Sequence, residues 1–337
     1  MQRLYALVQF SIFISMTAFF SACQTPSESS PSPPKAVIQE KMTLEGIPSA
    51  SGIEKIGNRY YVIGDDSPYL FTLDEEFKIV NKTTLTATTS MSQGRIPKPM
   101  KPDFEAITSL ELEGQHFLFI IGSGSTEKRN IGFLVPVNRT GPGKPIQVPL
   151  QELYGQLAKD QKVVGKALLN IEGLAADEEY VYLLQRFAPG GQNVLITYSL
   201  HSLTPFLLGR AAAPAPMEIK PFALPELENI STGFSGVTSA LRGRLLFTAS
   251  AEETPNAVLD GEVYGSMVGW IHAHRLPGGP LSNPTVVVPI TDKTGMPYKG
   301  KIESICILKD TDGLVEAVAV TDSDDGLSEL VVLHFTW

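Results

Sequence analysis

ASGI (50–53), FEAI (104–107), IEGL (171–174), FSGV (234–237) and IESI (302–305) echo one another along the chain. Each segment carries an oxygen-bearing side chain (Ser51, Glu105, Glu172, Ser235 or Glu303), then a small residue, then a branched apolar one. The echoes lie about 54, 67, 63 and 68 residues apart by subtraction. A recurrence on that scale marks a radial or stacked repeat in which each unit is one sheet-sized module. It also offers five ligand oxygens around a single axis.

The sequence between the echoes is written in strand-and-turn chemistry. Short runs of Val, Ile, Leu, Phe and Tyr are bounded by Gly, Pro, Asn and Asp. The first unit parses into strands at 51–56, 59–64, 69–73 and 78–86, the second at 105–112, 116–121, 131–137 and 145–149. The third uses 172–176, 180–186, 193–199 and about 217–223; the fourth uses 235–241, 244–250, 266–274 and 284–290. The fifth has only 303–308, 314–321 and 328–335, while 37–44 is an orphan strand ahead of the first unit. The expected fold is therefore all-β: a five-bladed β-propeller whose last blade is closed by the N-terminal strand, over residues 37–337. Closure also shields strand edges from unwanted pairing. A six-bladed alternative needs a further sheet within 187–232. The one helical stretch expected is 150–166.

The N-terminus reads as an address. Arg3 precedes an apolar run over 4–20, and Phe20-Ser21-Ala22-Cys23 follows. That is the pattern of a secretory signal peptide over 1–22. The cysteine at the cleavage point resembles a bacterial lipoprotein lipobox, with Cys23 as the lipidated residue. Residues 24–36 are Ser/Pro-rich and read, with Cys23, as a tether. The expectation is a monomer in the cell envelope, held to the membrane through its lipid, on the periplasmic face of, or exposed on, a Gram-negative outer membrane. An uncleaved anchor of the same length stays open. Lipidation of Cys23 leaves Cys306 alone, so no intrachain disulfide is expected; the run Ile305-Cys306-Ile307-Leu308 reads it as a buried apolar residue. A formal charge of −9 excludes a phosphate-backbone partner, so no nucleic-acid binding is expected.

In a propeller the start of each first strand and the end of each second strand share one mouth of the channel. This places Ser51, Glu105, Glu172, Ser235 and Glu303 beside Asp65-Asp66, Gly122-Ser123-Gly124, Arg186, Glu252-Glu253 and Asp322-Ser323-Asp324-Asp325. Three carboxylates near one axis repel unless a cation sits among them. Calcium takes six to eight oxygens, and the ring holds no Cys or His, so Ca2+ is the expected cofactor. The other reading is that these side chains merely hydrogen-bond neighbouring loops.

The order Ser, Glu, Glu, Ser, Glu resembles the calcium-activated nucleotidase (apyrase) family, a five-bladed propeller with one central calcium. Asp65-Asp66, Gly122-Ser123-Gly124, Arg186, Gly233–Gly236, Glu252-Glu253 and Lys301–Ile305 extend the likeness over most of 45–310 as a sparse pattern. The resemblance implies a calcium-dependent hydrolase of phosphoanhydrides or phosphoesters. Asp65, Asp66, Arg186 and Glu252 would carry catalysis, and Arg129, Asp322 and Asp324 would contact the substrate. The chain departs from the family at Ser125-Thr126-Glu127, where a basic residue and a tryptophan are usual, and at Ser250-Ala251. Lys128 or Arg129 stands a few residues on. A non-catalytic, calcium-stabilised scaffold for a small anionic ligand or a protein is the alternative. Glu-Gly-Ile/Leu segments also occur in esterase-like phytase and gluconolactonase-type propellers. His272 and His274 share a strand face, 322–326 copies part of a calcium loop, and no Gly-x-Ser-x-Gly elbow occurs.

Overall fold

Strand after strand in the computed structural model pairs with its sequence neighbour, as hairpin chemistry dictates. Residues 32–87, 91–92, 94–253, 261–273, 279–322 and 326–337 are described. The N-terminal strand β1 (Lys35–Thr43) precedes a first sheet of β2 (Ala50–Ile56), β3 (Arg59–Gly64), β4 (Tyr69–Leu73) and β5 (Ile79–Thr84). A second sheet holds β6 (Phe104–Leu112), β7 (Gln115–Gly122), β8 (Ile131–Asn138) and β10 (Ile146–Pro149), with the short β9 (Gly141–Pro142) paired to β8. The third holds β11 (Ile171–Ala176), β12 (Tyr180–Gln185), β13 (Asn193–Ser199) and β14 (Glu218–Phe222).

The remaining strands are β15 (Thr232–Ala240), β16 (Arg244–Glu253), β17 (Glu262–His272), β18 (Val286–Thr291), β19 (Lys301–Thr311), β20 (Leu314–Asp322) and β21 (Ser328–Thr336). They form one eight-stranded sheet in the order β15-β16-β17-β18-β1-β21-β20-β19. Among the described residues, its strand ladder joins the two halves through β1. That strand lies antiparallel to β21, from Lys35↔Thr336 to Thr43↔Glu329, and parallel to β18 at Ala36↔Ile290 and Val37↔Thr291. The hydrogen-bonded sheets are therefore four in number among the described residues, and a blade count does not follow from them directly.

What makes the architecture propeller-like is the packing. The innermost strands contact in a closed circuit: β2 on β6, β6 on β11, β11 on β15, β15 on β19, and β19 back on β2. Separate apolar clusters fill the spaces between neighbouring sheets or half-sheets. One joins the first and second sheets through Ile63, Phe104, Ile107 and Phe133; another joins the third and fourth through Tyr182, Phe222, Phe234 and Phe247. A third joins β2–β4 to β19–β21 through Val62, Phe71, Cys306 and Val318. Cys306 is a buried free thiol there, as its apolar run anticipates.

Helices appear only in connections. The stretch expected over 150–166 resolves into α1 (Gln151–Leu157) and α2 (Gln161–Val164), the latter capped by Asp160 through Lys162 N. Residues 187–232 contain all of β13 and β14, the first residue of β15 and an unanticipated α3 (Leu200–Leu207) carrying Pro205. α3 buries Leu203, Phe206 and Leu207 against the core shared by the second and third sheets. Tertiary burial outweighs its proline. Among the described residues no helix is long and apolar enough to cross a membrane. Cys23 and the signal-like run over 1–22 lie outside the described residues, as does most of the tether.

Candidate metal centre

Each of the five echo residues occupies a β-bulge. The ladder of β2 on β3 steps from Ala50↔Gly64 to Gly52↔Ile63 and skips Ser51. The same skip occurs at Glu105, Glu172, Ser235 and Glu303 in β6, β11, β15 and β19. A bulge leaves one residue unpaired, bends the strand and re-aims its side chain. The small residue after each bulge also has a cause. A Cβ on Gly236 would lie 2.7 Å from the Glu303 carbonyl oxygen, and one on Gly52 would lie 2.7–2.9 Å from Ile63 and Ile107. Neighbouring inner strands approach too closely there for a larger residue.

On one side of the mouth, Asp65 follows β3 while Asp103 and Glu105 open β6. One carboxylate oxygen from each of these three residues lies within 4.8 Å of the others, a set able to hold a metal ion. Backbone bonds fix the arrangement: Asp103 N donates to Asp65 O (3.0 Å) and Ser123 N to Asp103 O (3.0 Å). Asp103 has φ 55°, the left-handed region that non-glycine residues seldom enter, so the site holds local backbone strain. Lys101 pairs with Asp65 and with Asp103 (2.9 Å), and Arg129 with Asp103 (2.7 Å). Asp65 Oδ1 is buried and accepts no hydrogen bond among the described residues.

The electrostatics follow from crowding. Burial, then the Asp103 and Glu172 carboxylates, raise Glu105 well above the usual carboxylate range. Burial lifts Asp65 to about 7 against the pull of Lys101, with Asp322, Asp103 and Asp66 adding to the rise. Burial alone would lower Lys101, but Asp65, Asp103 and Glu105 outweigh it and hold the ammonium charged.

The other side is threaded with cations. Arg186 donates to Ser250 Oγ (2.9 Å), Phe234 O (3.3 Å) and Glu252 Oε2 (3.0 Å). Lys301 bridges Glu252 (3.2 Å) and Glu303 (2.9 Å). Burial favours a neutral Glu252, yet Lys301 and Arg186 win and hold it below the usual range. Glu303 goes the other way: burial lifts it to about 8 despite Lys301, helped by the Glu172 charge. Its Oε2 accepts no hydrogen bond among the described residues. Burial also raises Glu172, against Arg186 and Lys301, and Asn170 Nδ2 donates to its Oε1 (2.6 Å).

The remaining expected residues distribute as follows. Ser51 Oγ donates to Phe104 O and Ser235 Oγ to Thr248 Oγ1 (3.1 Å), so both hydroxyl protons are directed at neighbouring chain while the oxygens keep acceptor capacity. Asp66 is buried and paired with Arg95. Of the two basic residues after Glu127, Arg129 turns inward onto Asp103 and Ser125 (2.8 Å), while Lys128 is exposed. Asp322 ends β20 within electrostatic reach of Asp65. His272 ends β17; Asp324 and His274 lie outside the described residues.

Lys101, Asp103 and Arg95 were not anticipated, nor was the bridging role of Lys301. One signal was available. Asp103 stands two residues before Glu105, just as Lys301, Asn170 and Ser49 stand two before Glu303, Glu172 and Ser51, and all four line this mouth network.

The fold and this acidic, oxygen-only cluster define a propeller-like all-β protein with a metal-competent mouth. The chain belongs to the family of unknown function DUF6929, whose model matches residues 46–335. No curated protein matches it. Among solved structures it is similar to Myxococcus xanthus glutaminyl cyclase (10% identity, 90% of this chain and 97% of that one, TM-score 0.47). It is also similar to an exo-1,5-alpha-L-arabinanase from a bovine ruminal metagenomic library (13%, 85% and 92%, 0.43). A third is Cellvibrio cellulosa alpha-L-arabinanase complexed with arabinohexaose (14%, 88% and 93%, 0.43). Likenesses this distant say nothing of activity, and the nucleotidase resemblance rests on the residue pattern alone.

Proposed function

We propose that this protein is an exported, lipid-anchored five-bladed propeller whose mouth binds calcium and hydrolyses a phosphoanhydride or phosphoester. The blade count counts each half of the eight-stranded sheet as one blade. The closed circuit of inner strands supports it, and β1 then serves as the outer strand of the last blade. The observation that carries the metal reading is the convergence of Asp65, Asp103 and Glu105. Carboxylate oxygens without nitrogen or sulfur suit a hard cation such as calcium, and Asp65 Oδ1 retains acceptor capacity. Calcium bound there would neutralise charge and orient an oxygen ligand.

The chain's own residues supply the rest. Lys101 pairs with two of the three cluster carboxylates, so metal entry would release its ammonium toward an arriving anion. Arg129 and Arg186 are buried guanidinium groups of the kind that steady a phosphoryl charge. Asp66 Oδ1 is buried without a hydrogen bond among the described residues and would accept one from the attacking water. The test is calcium-dependent phosphate release from nucleoside diphosphates by the domain from residue 33 onward, abolished in Glu105→Gln. Calcium binding without turnover on phosphate esters or lactones would leave the calcium-stabilised scaffold. That reading is favoured by the ion pairs already engaging Arg95, Lys101, Arg129, Arg186 and Lys301.

A further inference from the structure

The connection from β5 to β6 carries two cations onto the mouth, and they are held in different ways. Arg95 exchanges both backbone hydrogen bonds with Ser92, Ser92 N to Arg95 O (2.9 Å) and Arg95 N to Ser92 O (3.0 Å). Its guanidinium pairs with Asp66 and donates to Ser49 Oγ (3.1 Å). The next residue, Ile96, is buried and gives its N–H to Asp66 O (2.8 Å). Neither Asp66 nor Ser49 belongs to the carboxylate cluster, so a metal there leaves this end anchored.

Residues 97–101 are built otherwise. Met100 N (2.7 Å) and Lys101 N (3.1 Å) both donate to Pro97 O, so the turn's backbone bonds are its own. Pro97, Pro99 and Pro102 have no N–H to offer a neighbour and hold φ at about −65°, which keeps the turn stiff. Among the described residues it makes no backbone bond to the sheets. Met100, at its tip, is 58% exposed. Side chains tie the turn down. The exposed Lys128 donates to Pro99 O (3.2 Å) and reaches Met100 Sδ (3.4 Å). On the inner side Lys101 pairs with Asp65 and with Asp103 (2.9 Å). The second anchor follows at once: Pro102 is buried, and Asp103 N donates to Asp65 O (3.0 Å).

The Lys101 ammonium and a metal ion compete for one place. Asp65 and Asp103 are two of the three cluster carboxylates, and both already face Lys101. An ion drawing on them at about 2.3–2.6 Å sets a doubly positive charge beside the ammonium, where burial weakens screening by water. We propose that residues 97–101 are a calcium-released flap: Lys101 latches it over the cluster while metal is absent, and calcium expels the ammonium so that the turn swings outward on its anchors at Ile96 and Pro102. The proposal rests on the reading of Asp65, Asp103 and Glu105 as a calcium centre and names its regulation. Latch and ion are coupled reciprocally, so the latch lowers calcium affinity as much as calcium loosens the latch. Access to the β2–β6 side of the mouth is then set by calcium.

The experiment is a calcium titration of the full chain in detergent, with a nitroxide attached at Met100→Cys and its mobility followed by electron paramagnetic resonance. The parent chain, treated with the same label, gives the blank for Cys23 and the buried Cys306. Calorimetry on the same samples measures calcium binding. The label is expected to be restrained in EDTA and freed by calcium, with the midpoint of the binding curve. Lys101→Met is expected to free the label in EDTA, to remove its response to calcium and to tighten calcium binding roughly ten-fold, because no ammonium has to be displaced. Lys101→Arg keeps a cation on the carboxylates and should keep the label restrained without metal. Calcium binding with an unmoved label, or a label as restrained in Lys101→Met as in the parent, overturns the flap and leaves the metal centre standing. Absence of calcium binding overturns the centre and the release with it.

Discussion

The two sides of the mouth begin from the same echo and end in different chemistry. Around β2 and β6, three carboxylates converge within 4.8 Å, two of them sharing Lys101, with Asp65 Oδ1 left over. Around β11, β15 and β19, Arg186 and Lys301 run between the carboxylates, and Glu252 is held ionised. A bulge residue therefore sets where a side chain points, while the charge two positions earlier sets its use. Asp103 before Glu105 adds a ligand; Lys301 before Glu303 adds a counter-ion.

The largest effect that tests this contrast is removal of each lysine. Lys301→Met strands the buried, ionised Glu252 carboxylate, and loss of one partner from a buried pair costs about 3–5 kcal/mol. The urea midpoint should fall accordingly and calcium should not restore it. Lys101→Met should show a comparable loss in EDTA, recovered on adding calcium, because the metal takes the lysine's place. Equal rescue of both variants would break the distinction.

Next in size is metal linkage. At about a hundred times its dissociation constant, calcium should stabilise the native domain by roughly 2.7 kcal/mol, read as a rise in Tm. Asp103→Asn should abolish the rise while leaving the EDTA-treated protein folded. A calcium-insensitive Tm in the parent domain removes the metal reading.

The pH dependence of the chelated protein comes third. Asp65 stands at about 7 and Glu303 at about 8, above their ordinary 3.8 and 4.5. The folded state therefore holds protons that the unfolded chain has released. The contribution of these two groups is full below about pH 4 and declines as pH rises toward 8, by at most about 1.4 kcal/mol per pH unit for each. Calcium should flatten the slope contributed by Asp65 and leave that of Glu303. Denaturation series at several pH values, with and without the ion, measure both.

The smallest effect is expected for Glu303→Gln. Near neutral pH the carboxyl is already largely protonated and one oxygen is unpaired, so the amide should change stability by about 1 kcal/mol or less. A loss several times larger would show that the charged form is needed there, making the two sides more alike than the geometry indicates.

Much of this was legible in the sequence because the echoes are local. A bulge leaves one residue unpaired and the close inner strands admit only a small residue after it, and both leave a trace in four consecutive letters. The hairpin boundaries of the first unit could be read for the same reason, from Gly57-Asn58 and Asp74–Phe77. Asp103 and Lys101 were hidden because they belong to a connection whose path is set by tertiary bonds, such as Ile96 N to Asp66 O (2.8 Å). The position two before each echo varies among Ser49, Asp103, Asn170, Gly233 and Lys301, so residue type gives no pattern to find. α3 escaped because Pro205 argues locally against a helix that burial of Leu203 and Phe206 secures.

The register of β1 sets an orientation. Thr43 pairs near Ser328 and the mouth, whereas Lys35 pairs with Thr336 at the opposite end of the same sheet. The chain thus enters the folded unit by its back door. Lys35 and the mouth lie at opposite ends of one sheet, with the whole of β1 between them.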